Sequence, residues 1–63
     1  MNTTISYQQE RLIREAERLQ LTSISRSQAW KLEKEGKFPK RIQLGARSVA
    51  WKLSEINQWL LDR

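Results

Sequence analysis

With 63 residues, a net charge of +5 and neither cysteine nor histidine, the chain has room for one small domain, and it lacks the residues for disulfides or the usual zinc sites. Residues 1–9 lack the apolar stretch of a signal peptide, and no run approaches the roughly 20 apolar residues that a membrane span needs. We therefore expect a cytoplasmic protein without metal, cofactor, small-molecule ligand or membrane contact. Residues 1–10 are predicted to be a flexible tail, and residues 11–63 to form the folded domain.

The positive charge is concentrated in the middle of the chain. Residues 26–52 contain eight lysines and arginines against two glutamates, whereas residues 1–25 are neutral overall and residues 53–63 carry a charge of −1. A basic segment of this kind attracts polyanions, and nucleic acid is the commonest of them. The alternative from charge alone is a basic surface that only faces water.

The first predicted element is a helix that begins near Leu12 and ends within residues 21–23. Leu12, Ile13, Ala16 and Leu19 share one face at helical spacing. Leu12 and Ile13 could instead form a short edge strand before the helix, and the sequence leaves this boundary open.

A second helix has clear signals at both ends. Ser25 and Gln28 have the spacing of a capping box, in which the serine hydroxyl accepts from the Gln28 backbone N–H and the Gln28 side chain reaches back. The helix is predicted to run to about Glu35, because Gly36 supplies the left-handed residue that commonly follows a helix. Pro39 prevents any continuation.

After Pro39 the apolar period changes to two, which predicts a β-hairpin. Ile42 and Leu44 point one way and Arg41 and Gln43 the other; Val49 and Trp51 then alternate with Ser48 and Ala50. Gly45 suits a tight turn, although register and loop length remain open.

A last helix is predicted to begin near Ser54, which suits the N-cap position, with Ile56, Trp59 and Leu60 as its buried stripe. Trp51 and Trp59 are assigned to the core. The order helix, helix, hairpin, helix predicts a mostly α-helical domain with one small hairpin.

The second helix presents a polar face to solvent. At about 100° per residue, Ala29 and Leu32 point inward, whereas Trp30 and the polar side chains of Ser27, Lys31 and Lys34 point outward. The short preceding loop is typical of a helix-turn-helix, whose second helix enters the major groove of DNA. Trp30 could instead cover a flank of the core.

Roles within this face follow from side-chain chemistry. Arg26, Ser27 and Gln28 are the natural base readers near the start of the helix, since arginine pairs with guanine and glutamine with adenine. Lys31 and Lys34 suit phosphates, although both could be ordinary solvated lysines, and helix capping alone explains Ser25 and Gln28. At the hairpin tip, Arg47 could lie along the backbone or enter a narrow minor groove. The complete predicted DNA-binding set is Ser25, Arg26, Ser27, Gln28, Trp30, Lys31, Lys34, Lys37, Arg47 and Ser48.

The chain resembles the AlpA family of small prophage regulators, which are similar in fold to excisionases and to the DNA-binding heads of the MerR group. The resemblance covers about residues 12–63 and rests on the stretches Ser25-Arg26-Ser27, Glu35 to Lys40, Leu44 to Trp51, Ser54-Glu55-Ile56 and Trp59-Leu60. It implies a winged helix-turn-helix, with the second helix in the major groove and the hairpin as the wing. It also implies that Ser25, Arg26, Ser27 and Trp30 (usually tyrosine in the family) face DNA, and that Arg47 and Ser48 form the wing tip.

Three positions depart from the family pattern. Ser23 stands where the family often has glycine, Glu33 replaces a usually apolar residue near the core, and Ala50 replaces a common glycine in the wing strand. We expect a slightly different turn before the second helix and looser packing near Glu33, with the fold unchanged.

These features predict a sequence-specific regulator that binds double-stranded DNA, activating integrase expression or promoting prophage excision. Activation would come from contacting RNA polymerase or from bending DNA. The alternative is a protein-interaction module that binds an integrase or RNA polymerase and uses DNA little. Catalysis is not expected, because the chain has no histidine, no cysteine, no glycine-rich phosphate loop and no visibly paired acids.

Overall fold

The computed structural model describes residues 10–63, so the predicted tail lies, apart from Glu10, outside the described residues. The described part contains three helices and three short strands. Their order is β1 (Leu12–Ile13), α1 (Glu15–Thr22), α2 (Arg26–Lys34), β2 (Ile42–Gln43), β3 (Val49–Lys52) and α3 (Leu53–Leu61). The predicted mostly α-helical fold with a small hairpin is confirmed, and its layout is that of a winged helix-turn-helix.

The three strands form one antiparallel sheet with β3 in the centre. On one side, Ile13 of β1 lies opposite Trp51 of β3, and on the other side Ile42 of β2 lies opposite Ala50. Leu12 and Ile13 therefore belong to an edge strand, which was the alternative left open above. This strand joins the beginning of the domain to the hairpin.

The predicted inner face of α1 is wrong. Ala16 is exposed and Leu19 is 44% exposed, whereas Arg18 is completely buried. The reason is that the helix begins only at Glu15, so that Ile13 enters the core from β1 and not from a helical face.

Burial of the Arg18 guanidinium is compensated by four hydrogen bonds. It donates to both carboxylate oxygens of Glu15 (3.2 and 2.5 Å), to the Thr22 hydroxyl (3.1 Å) and to the Ile24 carbonyl (2.8 Å). A buried charge is tolerated when it is paired and hydrogen-bonded in this way. Arg18 thereby ties α1 to the turn that leads into α2.

That turn contains three residues, as is usual in a helix-turn-helix. Ser23 adopts a left-handed conformation with φ 60°, and its N–H donates to the Leu19 carbonyl at 2.7 Å. Such a φ favours glycine, so Ser23 fulfils the same backbone role at some conformational cost. Ser25 caps α2 by accepting from the Gln28 N–H at 3.2 Å. The Gln28 side chain does not return a bond to Ser25, so only half of the predicted capping box forms.

The other end of α2 is as predicted. Gly36 has φ 74°, its N–H donates to Glu33, and the N–H of Lys37 donates to Leu32 at 2.8 Å. This pair of bonds is a Schellman motif, which ends the helix and turns the chain toward the hairpin.

The core lies between α2, α3 and the sheet. Its buried members are Ile13, Ala29, Phe38, Trp51 and Ile56, with Trp59 and Leu60 half-buried at its edge. The Trp59 ring meets Phe38 edge-on at 4.9 Å, and its Nε1 donates to the Lys37 carbonyl at 2.7 Å. Both tryptophans assigned to the core are there. The Trp51 Nε1 is buried and has no hydrogen-bond partner among residues 10–63.

Two predicted features of the hairpin differ in the structure. Leu44 is 47% exposed because β2 ends at Gln43 and Leu44 enters the loop. Ala50 is fully buried although it alternates with Trp51, so both faces of the sheet are covered at this part of β3.

The last helix begins near Ser54 as predicted, but Ser54 is not its N-cap. The helix begins at Leu53, whose N–H donates to the Arg11 carbonyl at 2.7 Å. Contact with β1 thus replaces a side-chain cap. Ser54 lies inside the helix, and its hydroxyl donates to the Glu10 carboxylate at 3.3 Å.

Candidate nucleic-acid interface

The two sides of α2 are oriented as the sequence predicts. Ala29 is buried and Leu32 is half-buried against the core, whereas Trp30 is 44% exposed. The outward side chains line a shallow open groove along the helix: Arg26, Ser27, Trp30, Lys31 and Lys34. Five of the ten predicted DNA-binding residues therefore share one surface.

Ser25 and Gln28 lie at the exposed start of the same helix. The Ser25 hydroxyl is engaged by the Gln28 N–H and lies 3.5 Å from the Ser27 hydroxyl. The amide of Gln28 makes no hydrogen bond within residues 10–63, so it is available to a ligand. Ser25 has mainly a capping role here.

The wing loop spans residues 44–48 and is wider than the tight turn that Gly45 suggested. The Ser48 carbonyl closes it by accepting from the N–H groups of Leu44 (2.7 Å) and Gly45 (3.4 Å), and the Gln43 side chain donates to the Gly45 carbonyl. Arg47 is exposed within this loop, whereas Ser48 is half-buried. These internal hydrogen bonds hold the backbone of the loop that carries Arg47.

A cleft between α2 and the wing brings four arginines together. It encloses about 270 Å³. We call it the arginine cleft; the side chains that line it are Arg14, Glu15, Arg26, Trp30, Arg41, Arg47, Val49 and Trp51. The four arginines come from four different places: the β1–α1 junction, the start of α2, the residue before β2, and the wing loop. Arginines that line one concave surface are suited to bind phosphate or base edges.

Sequence reasoning found only two of these arginines, Arg26 and Arg47. Arg41 was considered only as the outward neighbour of Ile42 in the hairpin. Arg14 lies in residues 1–25, whose net charge is zero, so a count of charge by segment gave no reason to select it. The alternation of Arg41 with Ile42 was the one available signal, because it places Arg41 on the side of β2 opposite to Ile42.

Arg41 stacks on Trp30 and links the hairpin to α2. Its guanidinium carbon lies 4.0 Å from the centre of the Trp30 ring, and its Nη1 lies 3.6 Å from the Glu33 carboxylate. Trp30 is thus a surface platform for Arg41, not a cover for the core. Glu33, the acidic departure from the family pattern, has its charge compensated by this ion pair.

Glu15, the acidic residue that lines the cleft, does not repel a bound anion, because its charge is compensated. Both carboxylate oxygens of Glu15 accept from the fully buried Arg18. This pair is neutral overall, and Glu33 offsets only one of the four arginines, so the cleft carries a net positive charge.

Lys37 is not part of this surface. It lines a different groove, between the α2–β2 segment and α3, together with Phe38 and Trp59. Its Nζ lies 3.8 Å from Glu35. The structure therefore brings the predicted residues of α2 and the wing together and leaves Lys37 apart.

Metal-ligating clusters and membrane-spanning helices are both absent from the described part of the chain. Residues 10–63 contain no cluster of metal-ligating side chains and no helix long and apolar enough to cross a membrane.

Comparison with known proteins agrees with the sequence resemblance. Uncharacterized protein ORF88 of Enterobacteria phage P4 is 40% identical over 55 residues, which are 87% of this chain and 62% of that protein. The chain thus matches less than two thirds of the length of this relative. The family model described as prophage CP4-57 regulatory protein (AlpA) matches residues 11–63. Because this model covers residues 11–63, the chain belongs to the AlpA family of prophage regulatory proteins.

Proposed function

We propose that residues 11–63 form a sequence-specific double-stranded DNA-binding domain that regulates prophage genes in the bacterial cytoplasm. One observation carries the proposal: the exposed face of α2 and the wing loop meet at a cleft with four arginines and a compensated acid. Membership in a regulatory family supports the same function.

In this proposal α2 enters the major groove and the wing follows the adjacent backbone or minor groove. Arg26 and Gln28 read base edges from the first turn of the helix, and Ser27 assists them. Lys31 and Lys34 contact phosphates farther along the helix, which positions the protein without reading sequence. Arg47 and Ser48 present the wing to the backbone. Ser25 holds the first turn in place by capping it.

The regulatory outcome is a further part of the proposal. Bound to the prophage region, the protein would activate integrase expression or promote excision, through contact with RNA polymerase or through DNA bending. Nuclease footprinting across the prophage region would find the target. A reporter for the integrase promoter and a measurement of prophage excision would then separate the two outcomes.

The physical test of DNA binding is its dependence on salt. If about five phosphates are neutralised, the logarithm of the binding constant falls with the logarithm of salt concentration at a slope of roughly −4 to −5. Fluorescence anisotropy with a labelled duplex measures this slope. No binding at low salt, or a slope near zero together with capture of integrase or polymerase, would reject DNA as the main ligand and favour the protein-interaction alternative.

A further inference from the structure

Two of the arginines in the cleft, Arg14 and Arg41, belong neither to α2 nor to the wing loop. We propose that these two side chains hold one DNA backbone phosphate between them, at the place where the bound DNA strand passes from α2 to the wing. The inference rests on the proposed DNA-binding function and deepens it by assigning a ligand group to this part of the surface. The ligand is a phosphodiester of the duplex, and no base is read there.

Arg41 is held in an orientation before any ligand arrives. Its guanidinium stacks on Trp30 at 4.0 Å, and the side chain is 28% exposed. A planar fork that is already oriented loses less conformational entropy when it binds a phosphate. The Glu33 carboxylate, at 3.6 Å from Nη1, is beyond ordinary hydrogen-bond distance and leaves N–H donors of Arg41 available.

Arg14 has a fixed backbone and an exposed side chain. It is the N-cap residue of α1, and its carbonyl accepts from the Arg18 N–H at 2.9 Å. Its guanidinium forms no ion pair within residues 10–63. A cation that is exposed, anchored at its backbone and without an acidic partner there is suited to an external anion.

The surroundings favour an anion over any other ligand. Glu15, the residue after Arg14, is committed to the buried Arg18 through both oxygens. Val49 and Trp51 also line the cleft, and they offer a base no exposed hydrogen-bonding group, because the Trp51 Nε1 is buried. A phosphate carries oxygens that can be shared by two guanidinium forks, and such charge-assisted bonds are the strong ones.

The experiment pairs protein variants with DNA in which single phosphates are neutral. The proteins are the full chain, Arg14→Met, Arg41→Met and the control Lys52→Met, which removes an exposed cation in the groove beside α3. Circular dichroism checks that each variant is folded, and Arg41→Gln, which also removes the charge, replaces Arg41→Met should the latter not fold. The DNA is the footprinted duplex, with a methylphosphonate at one linkage at a time.

We expect one linkage, or two adjacent ones, whose neutralisation weakens binding of the full chain and of Lys52→Met by about tenfold. Arg14→Met and Arg41→Met should each show a clearly smaller response at the same linkage, because one of the two guanidinium groups proposed to hold this phosphate is already absent. Each of these variants should also reduce the salt slope by about one.

Two results would overturn the proposal in different ways. If the full chain binds the duplex but both arginine variants respond to every neutral linkage as Lys52→Met does, the phosphate site is wrong and DNA binding stands. If the full chain does not bind the duplex at low salt, the proposed function fails and the phosphate site fails with it.

Discussion

Two arginine–tryptophan pairs occupy opposite environments in this small domain. The guanidinium of Arg18 lies 5.6 Å from the centre of the Trp51 ring, and both side chains are buried. The guanidinium of Arg41 lies 4.0 Å from the centre of the Trp30 ring, at the surface between α2 and the hairpin. The first pair has protein partners for its charge, whereas the second retains donors for an external group. The same two residue types therefore support the fold in one place and the proposed DNA surface in the other.

The largest effect should come from the buried tryptophan. Trp51→Ala should lower the free energy of unfolding by about 3–5 kcal/mol, through lost burial and the cavity that remains. For a domain of this size that is comparable with its whole stability. Urea denaturation followed by far-ultraviolet circular dichroism measures the loss. Trp59→Ala should cost less, because Trp59 is only half-buried, and an unchanged unfolding midpoint for Trp51→Ala would show that the sheet does not anchor the core.

The buried arginine should come second. Arg18→Ala should cost about 2–4 kcal/mol, because it removes packing and leaves the Ile24 carbonyl and the Glu15 carboxylate without their partner. Arg18→Met keeps much of the side-chain volume but leaves the same carbonyl and carboxylate without a partner, so it should cost less than Arg18→Ala only by the packing part of the loss. The same denaturation experiment compares the two. Equal losses would mean that charge pairing, and not volume, determines the contribution of Arg18.

Three substitutions on the proposed DNA surface should lower affinity for DNA and leave the free energy of unfolding unchanged. Arg26→Ala should cost about 1–3 kcal/mol in binding to the target and much less on random duplex, since base contacts specify. Lys34→Ala should weaken both by similar factors and reduce the salt slope by about one. Arg47→Ala should behave like the lysine variant, with an extra loss where the site has a narrow A·T minor groove. Titrations against two duplexes at several salt concentrations measure all three.

Two outcomes would contradict these assignments. Should Arg26→Ala lower both affinities by the same factor, Arg26 binds phosphate and does not read a base. Should none of the three variants change binding while remaining folded, the DNA surface lies elsewhere on the molecule.

Sequence predicted the parts of the fold whose signals are local. The Ser25 cap, the left-handed Gly36 and the inward Ala29 of α2 each depend on residues within one or two turns. The same holds for the stripe that begins at Ile56 in α3. Short-range hydrogen bonds and helical spacing determine these features, so they can be read from a single chain.

The errors arise where distant segments meet. Leu12 and Ile13 form a strand because Trp51 and Lys52 lie opposite them. The residues next to them in the sequence do not indicate this pairing. A charged residue on the inner side of α1 contradicts a hydrophobic pattern, and only the geometry around Arg18 shows how it is satisfied. In the candidate site, Arg14 and Arg41 come from segments 27 residues apart, and the arginine cleft exists only after the sheet has formed.

The smallest expected effect on stability concerns the exposed pair of Arg41 and Trp30. It tests most directly whether this pair differs from the buried pair of Arg18 and Trp51. Trp30→Ala removes an indole that is 44% exposed and stacks on Arg41. An exposed cation–π contact contributes about 0.5–1 kcal/mol, so unfolding free energy should fall by no more than that. Affinity for DNA should fall more than stability does, because Arg41 loses the surface that orients it, and Trp30→Phe should restore part of both. Urea denaturation and anisotropy on the same preparations give the two numbers. A loss of stability as large as that of Trp51→Ala would place Trp30 in the core and remove the distinction between the two pairs.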